Sequence, residues 1–167
     1  LFSDKKLAEK LAERGYFLSS ANSINWGRVL PQIVYYVSAY CDLLRAGTLK
    51  MGEPMNVTVP TGNFGNILAA YYAKQMGLPV GRLICASNRN CVLTDFLRTG
   101  IYDRRREFFT TTSPSMDILI SSNLERLLFE LSGHDDALIR TLMADLRDKG
   151  SYTVPAPLRE KLADLFY

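Results

Sequence analysis

Leu7, Ala8 and Leu11 fall on one face of a segment that Ser3 or Asp4 can cap and Gly15 ends, so the first element expected is an amphipathic helix reaching about Arg14. Phe17 and Leu18 then open a short extended segment that runs into the polar loop Ser19 to Ser23. From Trp26 to Leu44 the residues Ile33, Val37, Tyr40 and Leu44 keep helical spacing, while Val34, Tyr36 and Cys41 are apolar on other sides. This pattern predicts a long helix buried between layers, with Pro31 either kinking it or marking where its regular part begins.

After a polar link from Gly47 to Glu53, the β-branched run Val57-Thr58-Val59 reads as a strand bounded by Pro60. A glycine-bearing loop, Thr61 to Asn66, separates it from a helix over about Ile67 to Met76, and Leu83 to Ala86 reads as a second strand. Strand, loop, helix and strand make a βαβ unit whose right-handed crossover puts the strands parallel and the loop at the carboxyl end of the first.

The next helix is expected over Cys91 to Thr99, closed by Gly100, followed by an irregular stretch from Ile101 to Met116. Ser122 and Glu125 have capping-box spacing ahead of Leu124, Leu127, Leu128 and Leu131. The last third reads as helical and peripheral: Leu138, Leu142 and Leu146 share a face, Gly150 breaks the run, and Pro155 or Pro157 precedes a final helix to Phe166.

With 167 residues and 47% hydrophobic content the chain has material for a real core, which argues against disorder. Twenty basic and seventeen acidic residues give a formal charge of +3, with the signs interspersed, so charge names no partner. The local exception, Arg104-Arg105-Arg106, is either a polyanion contact or a solvated loop; no nucleic-acid surface is expected. Cys41, Cys85 and Cys91 have no CxxC spacing, which suggests neither a disulfide framework nor a metal site and fits a reducing cytoplasm. No apolar run is long enough to cross a bilayer, and the chain opens without Met, so an internal fragment of a longer protein is expected.

Two places can carry chemistry. In Gly62-Asn63-Phe64-Gly65-Asn66 the glycines let the backbone turn sharply and aim successive N–H groups at one spot ahead of a helix, which suits phosphate, although a tight turn without ligand has the same spacing. Asn22 and Arg28 form the second: a guanidinium at the start of an apolar helix can grip a dianion, or it can pair with a nearby carboxylate. His134, the only histidine, sits at a junction between helices and reads as a loop residue. It leaves no catalytic triad and no histidine metal set to argue for.

Four stretches together resemble threonine synthase: Asn22 to Arg28, Pro60 to Asn66, Asn88 through Gly100, and Ser113 to Ile118 followed by Ser121 to Arg126. The resemblance covers about Phe17 to Gly133 and implies an α/β chain, a partial three-layer parallel sheet of the pyridoxal-phosphate-dependent tryptophan synthase β-like fold with a helical C-terminal part. Residues 1–133 would be the phosphate-binding portion and 134–167 a peripheral helical segment. The implied activity is that of a lyase converting O-phosphohomoserine and water to threonine and phosphate. Gly62, Asn63, Phe64, Gly65 and Asn66 would hold the phosphate of pyridoxal 5'-phosphate, and Asn22 and Arg28 that of the substrate.

Thr61 stands where the family commonly has serine, and Cys91 where it commonly has aspartate, which makes Asn90 the expected helix cap. The family's Schiff-base lysine lies in a Ser-Phe-Lys-Asp segment upstream, and none of the seven lysines here has that context, so this stretch alone is expected to be inactive. A related phospholyase giving a keto acid, and a non-enzymatic phosphate-binding α/β module, are the alternative readings. The oligomeric state is open.

Overall fold

A computed structural model describes residues 4–19 and 24–167. Helix α1 (Lys5–Ala12) is capped by Asp4, whose carboxylate accepts from the Leu7 N–H at 3.1 Å, and it buries none of its residues. It stops short of Arg14, and Phe17 and Leu18 form no strand but lie exposed.

Helix α2 (Trp26–Arg45) starts where Asn25 accepts from the Gly27 N–H at 2.9 Å. Pro31 lies inside it without ending or starting it, because a proline in the second turn forfeits only one intrahelical bond near an end already short of partners. Val29, Ile33 and Tyr40 are buried, whereas Leu30, Val34, Tyr35 and Val37 are 51%, 63%, 66% and 42% exposed. Where apolarity on several sides suggests full burial, the described structure packs one face, against the next helix.

Strand β1 (Met55–Pro60), helix α3 (Gly65–Gln75) and strand β2 (Val80–Ala86) form the expected βαβ unit, with the strands parallel and Val57 opposite Leu83, Val59 opposite Cys85. α3 begins at Gly65 rather than Ile67, so the second half of the glycine loop is already helix. It is buried on most sides, including Ile67, Leu68, Ala69, Ala70 and Ala73, because α2 covers it on one side and the strands on another. Each large apolar side chain buried this way contributes roughly 1.5–3 kcal/mol. Along β2 the chain end adds a parallel bridge, Leu83 to Phe166, with the Tyr167 N–H donating to the Leu83 carbonyl at 2.9 Å. The architecture is the α/β arrangement expected, a small parallel sheet among helices.

Helix α4 (Val92–Thr99) closes on Gly100, which has φ 76°. Asn90 does not cap it; Cys91 holds the N-cap position without a side-chain bond. The Asn90 amide is consumed elsewhere, donating to the Phe109 carbonyl at 2.7 Å and accepting from its N–H at 2.9 Å. Within the stretch read as irregular lies β3 (Ile101–Asp103), antiparallel to β4 (Ser151–Thr153). Strands of three residues are too short to show an alternation, and only the pairing defines them.

Helix α5 (Leu124–Leu131) has Asn123 at its N-cap, so the Ser122 to Glu125 capping box does not form. Helix α6 (Asp136–Lys149) is capped by Asp135 and ended by Gly150, and helix α7 (Ala156–Leu165) follows Pro155. One core joins the halves across position 133: Tyr102 stacks on Tyr152 at 5.3 Å with Phe96 edge-on to both, and α7 packs on α4, β2 and α5.

Candidate phosphate-binding site

At the carboxyl end of β1, Thr61 is tied down on both sides, its N–H donating to the Ala86 carbonyl at 2.9 Å and its hydroxyl to the Val59 carbonyl at 2.7 Å. Phe64 then adopts φ 65°, a left-handed conformation costing roughly 1–2 kcal/mol for a residue with a side chain. Its fully buried ring, 5.8 Å from that of Phe166, supplies the compensating burial. Asn66 closes the loop by donating to the Pro60 carbonyl at 2.7 Å, and its own carbonyl accepts from the Tyr36 hydroxyl at 2.7 Å. Burial pushes that phenol up to about 12, so it stays a proton donor.

Among the described residues, no acceptor takes the N–H groups of Asn63, Phe64, Gly65 or Asn66. They stand at the amino end of an eleven-residue helix, where the dipole favours a negative charge. A cavity of about 480 Å³ opens here, lined from the loop by Pro60, Gly62, Asn63, Gly65 and Asn66 and from α2 by Gly27, Arg28, Gln32 and Tyr35. Ser115 and Met116 close a third side. Among the described residues the lining contains one cation, Arg28, and no carboxylate, a donor set that fits a dianionic phosphate group.

The third wall is close. A Cβ on Gly62 would lie 2.8 Å from the Ser115 carbonyl oxygen, so only glycine lets the strap approach. Asp117 holds the strap in place: it accepts from the Thr111 N–H at 2.8 Å, the Thr111 hydroxyl at 2.8 Å, and the side-chain amides of Asn88 and Asn90. The Thr111 N–H above all, then the side-chain donors, draw the Asp117 carboxyl below the usual carboxylate range.

Other polar clusters are committed differently. A larger cavity of about 560 Å³ lies beside Trp26 and Tyr72, but Glu125, Glu130 and Asp136 line it along with Arg126 and Arg140, a poor setting for an anion. In the arginine run, Arg104 donates to the Arg147 carbonyl, Arg105 pairs with Asp103 at 2.8 Å, and Arg106 pairs with Asp95 at 2.7 Å. His134 lies in the junction as expected, exposed and 3.2 Å from Glu130.

The structure thus brings Arg28, Gly62, Asn63, Gly65 and Asn66 to one cavity. Phe64 is not among the lining residues, its ring being in the core, and Asn22 lies outside the described residues. Sequence reasoning did not find Gln32, Tyr35, Ser115 or Met116 as lining residues. Helical spacing from Arg28 would have flagged Gln32 and Tyr35, while only the fold brings Ser115 and Met116 to the loop.

A scan of protein-family models finds none that matches the chain. It is 52% identical over 168 residues to threonine synthase-like 1 of Homo sapiens, a match covering 99% of this chain and 23% of that protein. Threonine synthase of Saccharomyces cerevisiae is 44% identical over 132 residues, 79% of this chain and 24% of that protein. The crystal structure of a pyridoxal-phosphate-bound threonine synthase from Brucella melitensis superposes with a TM-score of 0.87 at 44% identity, over 99% of this chain and 33% of that one. The chain therefore spans a quarter to a third of the length of these relatives.

Proposed function

For a chain homologous along its length to one stretch of the threonine synthases, we propose that the cavity between β1, α3 and α2 holds two phosphate groups within a pyridoxal-phosphate-dependent lyase. The free amides of Asn63 to Asn66 take the cofactor's phosphate, and Arg28, with Asn22, takes that of O-phosphohomoserine. The supporting observation is that, among the described residues, the N–H groups of Asn63, Gly65 and Asn66 have no acceptor and these residues line a cavity with Arg28 and no carboxylate. When bound, pyridoxal phosphate supplies an electron sink for the substrate's carbon skeleton.

The residues of this chain bind and orient. Arg28 offers a fixed positive fork to a dianion that becomes the departing phosphate, a charge better matched as it leaves than as it arrives. Tyr36 and Asn66 hold the start of α3 so that its amides keep one direction. All the proposed binding residues fall within 1–133, which we take as the ligand-bearing portion, with 134–167 bracing it from the periphery through β4 and α7. Among the described residues no lysine lines the cavity, and we assign the Schiff-base lysine to none of the seven here, so this stretch by itself is expected not to turn over. Three free thiols and no helix among the described residues long and apolar enough to cross a membrane fit a cytoplasmic setting.

A related threonine-synthase-like phospholyase is the alternative reading. In it the same substrate loses phosphate and ends as a keto acid. Incubation of the full-length protein with O-phosphohomoserine separates the two: threonine and phosphate support the first, a keto acid and phosphate the second. Absence of phosphate release sinks both.

A further inference from the structure

Resting on the reading above, we propose that the segment Ser121 to Arg126 is a positioning bracket that aims both walls of the phosphate cavity from behind, through carbonyl groups rather than through any contact with ligand. The Ser121 hydroxyl donates to the Gly62 carbonyl at 2.8 Å. The backbone N–H and the side-chain amide of Asn123 both donate to the Asn63 carbonyl, each at 3.1 Å. A trans peptide carries its N–H on the side opposite its C=O, so drawing these two carbonyls toward α5 turns the N–H groups of Asn63 and Phe64 the other way. That is the direction in which a phosphate needs them.

The same segment reaches the opposite wall. Arg126 donates to the Ile24 carbonyl, and its guanidinium lies 5.9 Å from the Trp26 ring, which in turn meets Tyr72 edge-on at 5.2 Å. Ile24 and Trp26 flank the cap of α2, the helix that carries Arg28. The bracket is itself anchored in the core: the buried Tyr102 hydroxyl accepts from the Ser121 N–H at 2.9 Å and donates to the Leu119 carbonyl at 3.0 Å. Ser121 is 7% exposed and Asn123 fully buried, so these bonds form away from water, where losing one is costly. This also accounts for the absent capping box: Asn123 serves the loop rather than its own helix.

The test uses full-length protein and two constants that the bracket moves separately. In Ser121→Ala the dissociation constant for pyridoxal phosphate, measured by equilibrium dialysis, rises about tenfold, and Ser121→Thr, which keeps the hydroxyl, recovers most of the loss. In Arg126→Leu the KM for O-phosphohomoserine rises about tenfold while kcat and cofactor affinity stay within about twofold. A purely structural role would lower the melting temperature and move neither constant. The bracket is overturned if Ser121→Ala binds the cofactor as tightly as the parent, or if Arg126→Leu, a change at a partly exposed side chain, keeps the parent KM. A parent protein that binds no pyridoxal phosphate defeats the proposed function itself, and the bracket with it.

Discussion

Asn63, Gly65, Asn66 and the basic Arg28 line the cavity at the carboxyl end of β1, while three guanidinium groups crowd the run Arg104 to Arg106. By charge the run is the stronger anion site, yet two of its three charges are paired, Arg105 with Asp103 and Arg106 with Asp95, and Arg104 gives one N–H to the Arg147 carbonyl. At the cavity, no carboxylate competes and the N–H groups of Asn63 to Asn66 have no acceptor among the described residues. What qualifies a site for a dianion is a set of converging donors with no carboxylate beside them, not the number of positive charges nearby.

The harshest test of that contrast fills the cradle. Gly62→Val drives a Cβ into the Ser115 carbonyl, 2.8 Å away, and the buried loop cannot yield without moving the strap. Cofactor affinity should fall by about a hundredfold or more, with about 1–3 kcal/mol lost from stability, read by cofactor titration and thermal melting of the full-length protein. Undiminished binding would mean that the strap is no wall of the site.

Arg28→Ala comes next. It should weaken affinity for a phosphorylated substrate by about ten- to a hundredfold, the worth of a charged hydrogen bond, with little change in melting temperature. Its counterpart Arg105→Ala should leave that affinity where it was; equal losses from both would erase the distinction between the regions.

Arg106→Met sharpens the comparison from the other side. Breaking a half-exposed pair with Asp95 should cost up to about 1 kcal/mol in a denaturant titration and leave phosphate affinity intact.

The smallest effect is a pH dependence. Arg105, by its side-chain and backbone hydrogen bonds, lowers the Asp103 carboxyl from 3.8 to about 2. A folded-state value below the unfolded one means the unfolded chain binds the proton first, so this contribution is complete above the ordinary carboxylate range and is lost as pH falls toward 2. In Arg105→Ala the slope of stability against pH over that interval should flatten, and an unchanged slope would count against the pair.

Much of this was legible along the chain, and for a local reason. The β-branched run at Val57, the glycines at positions 62 and 65, and the apolar stretch to Met76 each state a backbone preference, and together they write the strand, turn and helix that make the cradle. Caps were less legible. Asn90 and Ser122 occupy spacings that suit helix ends, yet the Asn90 side chain bonds Phe109 and Asp117, and the neighbouring Asn123 serves Asn63. A polar side chain has one set of bonds to give, and a buried partner far along the chain outbids the nearest exposed amide.

By itself the sequence determined most of the helices, the parallel βαβ unit and the place of the glycine loop, since these follow from hydrophobic period and from where glycine relaxes the backbone. Only the tertiary structure decided which charges are paired and what surrounds the loop: it paired Arg105 and Arg106 with carboxylates, brought the Ser115 carbonyl to where a Cβ on Gly62 would meet it at 2.8 Å, and joined Ser121 and Asn123 to the loop carbonyls. Most such pairings join residues far apart along the chain, and no local propensity encodes them.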